Sequence, residues 1–190
     1  MATSFALLAA ARAARTAWLV DLDLRNNPLS QALDDGFADD VGPLGRAYDG
    51  SLNVDPIYSV TQDISGREAG NKLLVAQQVE ETRLLVTRFR DDLLRDEQQV
   101  RIISQPTWWS RLKEATDWIV VDAPAFETST AVLTVANQVD GIVLVVNADS
   151  TSVEDVAGLR LELESYGGNV IGVAMNRVGA DARLLDKIGL

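Results

Sequence analysis

The chain has 190 residues, 47% of them hydrophobic and 24% charged, and a formal net charge of −11. This length is typical of one domain with one core, and the composition excludes a largely disordered chain. The chain has no cysteine and no histidine, which excludes disulfides, thiolate nucleophiles, Ser-His-Asp triads and zinc sites with the usual ligands.

Short apolar runs alternate with segments of helical character along the chain. The runs predict strands at AWLVDLD (17–23), VRIISQ (100–105), DWIVVDAP (117–124), GIVLVVNA (141–148) and NVIGVAMN (169–176). The segments between them predict helices over 4–15, 68–97, 106–116, 128–138 and 152–166. Three of the strands, WIVVD, IVLVV and VIGVAM, lack polar alternation, which predicts helices on both of their faces. The alternation of strands with helices favours an α/β fold with a parallel sheet and right-handed crossovers.

The region between about 26 and 97 differs from the rest of the chain. Residues 26–70 are rich in Asp, Gly and Pro and only weakly periodic, which indicates a long excursion with short elements. From 68 to 97, apolar residues recur at spacings of three and four, which predicts one long amphipathic helix. The sequence shows no repeat and no linker. We therefore expect a single domain over 1–190 with a divergent excursion at about 30–97.

Two further short clusters are a pair of tryptophans, which has two interpretations, and an Asn-Asn-Pro run. Trp108 and Trp109 follow Pro106 and either pack into the core or anchor a partner, since tryptophan is frequent at binding hot spots. The run Asn26-Asn27-Pro28 indicates a turn after the first strand.

Acidic side chains close two of the predicted strands. Asp21 and Asp23 end the first strand, and Asp122 ends the strand that starts near Asp117. Ligands of open parallel sheets bind beyond the carboxyl ends of the strands, and three converging carboxylates suit Mg²⁺ beside phosphates. The alternative is that these residues cap turns or helices, as aspartate often does. Spacing alone leaves both interpretations open.

Three segments together resemble one known family. LVDLDLRNNP (19–28) is similar to a Walker A′ motif, D-x-D-x-R, and IVVDAPAF (119–126) is similar to a Walker B segment. GIVLVVNADSTSVEDVAGLRLELESYGGNVIGVAMNRV (141–178) resembles a C-terminal strand–helix–strand. In this order the segments resemble the bacterial tyrosine kinases of capsule and exopolysaccharide export (BY-kinases) and the related MinD/ParA ATPases. The resemblance covers 3–29 and about 100–178. It implies a three-layer, P-loop NTPase-like and Rossmann-like fold, with a mostly parallel sheet and helices on both faces.

The resemblance also implies roles for individual residues. It assigns catalysis and Mg²⁺ binding to Asp21, Asp23 and Asp122. It assigns nucleotide binding, as Mg-ATP or ADP, to Arg25, Asn176 and Arg177.

The phosphate-binding loop of that family, G-x-x-x-x-G-K-[ST], has no counterpart in the sequence. The place before the first helix reads MATS, where only Thr3 and Ser4 are similar to its hydroxyl end, and Lys72, Lys113 and Lys187 stand in no glycine-rich setting. Each charge-assisted hydrogen bond to phosphate contributes about 1.5–3 kcal/mol. We therefore expect weak binding of Mg-ATP or ADP, or none, and carboxylates that are vestigial.

The functional expectation is a degenerate BY-kinase-like protein that acts as a non-catalytic or regulatory cytoplasmic component of bacterial exopolysaccharide synthesis or export. The resemblance implies a partner, the cytoplasmic part of an inner-membrane polysaccharide co-polymerase, which would hold the chain peripherally at that membrane, and it implies homo-oligomers. The acidic charge and the absence of a long apolar run argue against nucleic acid and direct membrane insertion. The alternatives are an active ATPase or protein tyrosine kinase completed by upstream residues or a partner, and a MinD/ParA-like positioning ATPase.

Overall fold

The computed structural model describes residues 1–35, 44–61, 73–95, 97–148 and 150–177. The chain divides into two compact units, Met1–Val132 and Leu133–Leu190. The organisation as a single domain stays a prediction. Within the described ranges, no helix has the length and apolarity needed to cross a membrane.

The elements alternate as the sequence pattern indicates. The helices are α1 (Ala2–Arg12), α2 (Pro28–Asp35), α3 (Pro106–Ala115), α4 (Ala131–Val135) and α5 (Val153–Ser165), with 3-10 turns at Asp91–Leu93 and Ala136–Gln138. The strands are β1 (Ala17–Asp21), β2 (Leu44–Asp49), β3 (Tyr58–Val60), β4 (Leu74–Val79), β5 (Leu84–Phe89), β6 (Val100–Ile102), β7 (Trp118–Asp122), β8 (Ile142–Asn147) and β9 (Val170–Asn176). Every predicted strand is present, and so is every predicted helix except 68–97.

The first unit is built on a five-stranded sheet in the order β2-β4-β5-β1-β7. Strand β1 is parallel to both β5 and β7, whereas β4 is antiparallel to both β5 and β2. Four of the five strands therefore run in one direction, with β4 the exception. Outside this sheet, β3 pairs with β6 antiparallel and β8 pairs with β9 parallel. The predicted α/β class with a mostly parallel sheet is confirmed.

Small side chains bring α1 close to the sheet. Ala6, Ala9 and Ala10 form one buried cluster with Ala17 and Leu19 of β1. Alanine is the strongest helix former and carries only one methyl group, so the helix axis can approach the strands. All five residues of β1 are buried, because the strand lies between β5 and β7 with α1 packed on it.

The predicted helix over 68–97 is wrong. The described part of that range, from Leu73 onward, forms the antiparallel hairpin of β4 and β5. Alternate residues such as Leu74 and Ala76 are buried, which is the two-residue period of a strand. Glu81 in the connecting turn has a φ of 60°, a left-handed conformation that interrupts a helix. Residues 68–72 lie outside the described part of the chain.

In the second unit, α5 begins as its sequence predicts. The Ser152 hydroxyl accepts a hydrogen bond from the Asp155 N–H (3.1 Å), and the Asp155 side chain accepts one in return from the Ser152 N–H (3.3 Å). This is a capping box, which satisfies two amides at the start of the helix. Gly167, with a φ of 81°, follows the end of the helix.

In the second unit, β8 and β9 pair in parallel and α5 packs against β9. One face of this pair is apolar and each of its side chains is more than half exposed, namely Val143, Val145, Ile171, Val173 and Met175.

Candidate functional site

Asp21 and Asp122 lie side by side at the carboxyl edge of the sheet. They are the last residues of β1 and β7, and the register of the two parallel strands pairs them directly. The Asp122 carbonyl accepts a hydrogen bond from the Leu22 N–H (3.0 Å), which carries the pairing one residue further. The sheet thus brings together two of the three predicted carboxylates.

The Asp21 carboxylate is engaged by the backbone that follows it. Its Oδ1 accepts a hydrogen bond from the Asp23 N–H (2.9 Å), and its Oδ2 accepts one from the Leu29 N–H (3.3 Å), the second residue of α2. The side chain is buried, with an exposure of 3%. Asp21 therefore caps the first turn of α2 across a short loop, in line with the capping alternative drawn from the sequence.

Burial raises the pKa of both strand-end carboxyls. Desolvation raises the pKa of Asp21 from 3.8 to about 6, which outweighs the lowering effect of the two N–H bonds, and the charges of Asp122 and Asp23 raise it further. Desolvation also raises the pKa of Asp122, although the Met1 amino group partly offsets this. In both carboxyls desolvation is the largest cause of the raised pKa.

Asp23 and Arg25 lie on the loop between β1 and α2. The Asp23 oxygens accept hydrogen bonds from the Asn26 side-chain amide (3.1 and 2.9 Å), and Oδ1 also accepts one from the Asn26 N–H (3.2 Å). This is a local Asx-type turn. Arg25 is exposed, and no described residue is seen to hydrogen-bond its guanidinium. Asp23 thus stabilises its own loop.

The described residues do not form the predicted three-carboxylate metal site. Among them, no group of three or more acidic side chains could hold a metal ion together. Asp21 and Asp23 accept hydrogen bonds within the loop, whereas no described donor bonds to the Asp122 side chain. Thr3 is buried, with an exposure of 8%. Nucleotide binding at Arg25, Asn176 and Arg177 stays a prediction.

Asn176 ends β9 in the second unit, and Arg177 follows it. The Asn176 Oδ1 accepts a hydrogen bond from the Arg177 N–H (2.9 Å), and the Asn176 carbonyl accepts one from the Ala148 N–H (3.0 Å). Both residues are exposed, and Arg177 has a φ of 56°. The contact with adenine that the resemblance implies stays a prediction.

Sequence reasoning missed the role of Asn27. Its Oδ1 accepts a hydrogen bond from the Phe89 N–H (2.8 Å), and its Nδ2 donates to the Phe89 carbonyl (3.0 Å) and to Asp91 Oδ1 (3.2 Å). Asn27 is buried and has a φ of 44°, a left-handed conformation that asparagine tolerates better than most residues. An asparagine before proline predicts a turn. The neighbouring residues do not reveal that its side-chain amide hydrogen-bonds to the backbone at the end of β5.

The two adjacent tryptophans belong to the core. Trp108 and Trp109 have exposures of 0% and 1%. The Trp108 indole N–H donates to the Gly50 carbonyl (2.9 Å). The interpretation of these rings as a partner-binding anchor is therefore wrong.

Thr87 should prove important for the position of Asp21. Its Oγ1 accepts a hydrogen bond from the buried Asp21 N–H (2.9 Å), so Thr87→Val should lower the free energy of unfolding by about 2 kcal/mol. The matched control is Thr61→Val, because Thr61 Oγ1 accepts a hydrogen bond from the Gln99 N–H at an exposed position where water can replace it. Urea denaturation should give less than about 0.5 kcal/mol for the control. Equal losses would contradict this role of Thr87.

The arrangement is that of a mixed α/β domain whose acidic groups meet at the carboxyl edge of a mostly parallel sheet. No protein-family model and no curated protein matches the sequence. The structure is similar to the kinase domain of VpsO, with a TM-score of 0.59 and 19% identity over 94% of this chain and 77% of that chain. It is also similar to the tyrosine kinase domain of BceF, with a TM-score of 0.54 and 16% identity over 94% of this chain and 62% of that chain.

A third similar structure is the MinD cell division protein of Aquifex aeolicus, with a TM-score of 0.47 and 18% identity over 99% of this chain and 64% of that chain. The likeness to the two kinase domains shows the fold that this chain shares with them.

Proposed function

We propose that this chain is a non-catalytic, regulatory domain of the BY-kinase type that acts in bacterial exopolysaccharide synthesis or export. The observation that carries the proposal is that the aspartates of the D-x-D-x-R segment hold the local structure together. Asp21 caps α2 and Asp23 closes its own turn, so both carboxylates accept hydrogen bonds from the chain itself.

The lack of a phosphate-binding loop among the 190 residues supports the same proposal. The 190 residues contain no G-x-x-x-x-G-K-[ST] segment. Two charge-assisted bonds of about 2 kcal/mol each separate a micromolar from a millimolar nucleotide complex. Phosphoryl transfer depends on positioning and charge neutralisation, so it would fail with the same loss of ligands.

The partner that we propose is the cytoplasmic part of an inner-membrane polysaccharide co-polymerase, which would place the chain peripherally at that membrane. Support comes from the fold shared with two kinase domains and from the sequence resemblance at 19–28, 119–126 and 141–178.

Isothermal titration of the 190-residue chain with Mg-ATP tests the proposal. We expect a dissociation constant weaker than about 1 mM and no phosphate release. Asp122→Asn is the matched variant, because Asp122 is the one carboxylate of the three that no described donor engages, and it should behave like the unchanged chain. Micromolar binding with turnover that Asp122→Asn abolishes would overturn the proposal.

A second candidate function is an ATPase or protein tyrosine kinase completed by residues that a partner or an upstream segment supplies. The half-buried Asp122, beside Asp21 at the sheet edge, favours it because this carboxylate keeps its oxygens available. A peptide that carries a G-x-x-x-x-G-K-[ST] loop, added in trans with Mg-ATP, distinguishes the two. Turnover that depends on Asp122 would favour the second candidate.

A further inference from the structure

We draw no further inference here: the strongest candidate, the apolar groove between α5 and β9 in the second unit, which Leu144 and Val156 line, carries none because its charged lining residue, Arg160, already bonds to Glu164 (2.7 Å) and nothing in the structure shows what covers the groove.

Discussion

Replacing Asn27 by alanine should lower the free energy of unfolding by about 4 kcal/mol. The Asn27 amide bonds to both the N–H and the carbonyl of Phe89, at a buried position. Each buried backbone group that loses its partner costs about 1–3 kcal/mol. Alanine must also adopt the left-handed φ of 44°, which costs about 1 kcal/mol. Urea denaturation with a constant m-value measures the loss.

The neighbouring asparagine provides the control. Asn26 is exposed and bonds within its own turn to Asp23, so Asn26→Ala should cost only about 0.5 kcal/mol. Asn27→Gly removes the amide but accepts the backbone conformation, so it should be more stable than Asn27→Ala by about 1 kcal/mol. If Asn26→Ala and Asn27→Ala were equally destabilising, Asn27 would not anchor the loop to β5.

The stability of the protein should fall as the pH rises from 4 to about 6.5 because of Asp21. The pKa of this carboxyl is raised from 3.8 to about 6 in the folded state, so the folded chain holds a proton that the unfolded chain releases. The resulting stabilisation is fully present below pH 3.8 and is lost as the pH passes through about 6. A shift of this size corresponds to about 3 kcal/mol.

Denaturation of the Asp21→Asn variant across this pH range checks the assignment. The variant has no proton to release at this position, so its unfolding free energy should vary less with pH, with a remainder from Asp122, whose pKa is shifted in the same direction. Asp155→Asn is the control, because the hydrogen bonds from Ser152 lower the pKa of Asp155 and its titration lies below the window. An unchanged slope in Asp21→Asn would refute the raised pKa.

Magnesium separates the two interpretations of Asp21 in the same experiment. A direct ligand would release its proton at lower pH when Mg²⁺ is added, since the metal favours the charged carboxylate. A carboxylate that caps α2 should keep its pH profile in millimolar Mg²⁺. We expect the second result, because both oxygens of Asp21 accept backbone hydrogen bonds.

Two kinds of sequence pattern predicted secondary structure with different success in this protein. The runs AWLVD and WIVVD are short, apolar and bounded by polar residues, and both form strands. The segment over 74–89 places apolar residues at spacings that fit a helix and a strand alike, and the hairpin forms because β5 pairs with β1 and β4 pairs with β2. Such pairing involves residues far apart in the chain, which local periodicity does not contain.

The sequence by itself determined the α/β class, β1 and β7 as strands, and the acidic residues that close them. Only the tertiary structure decided what those residues do. Strand register pairs Asp21 with Asp122, and burial raises the pKa of both. Asp21 caps α2 because the Leu29 N–H donates a hydrogen bond to its carboxylate. The two hydrogen bonds between the Asn27 amide and the Phe89 backbone likewise depend on the packing of the loop on β5. The physical reason is that desolvation and hydrogen bonding depend on which groups surround a side chain in space, and spacing along the chain does not specify those neighbours.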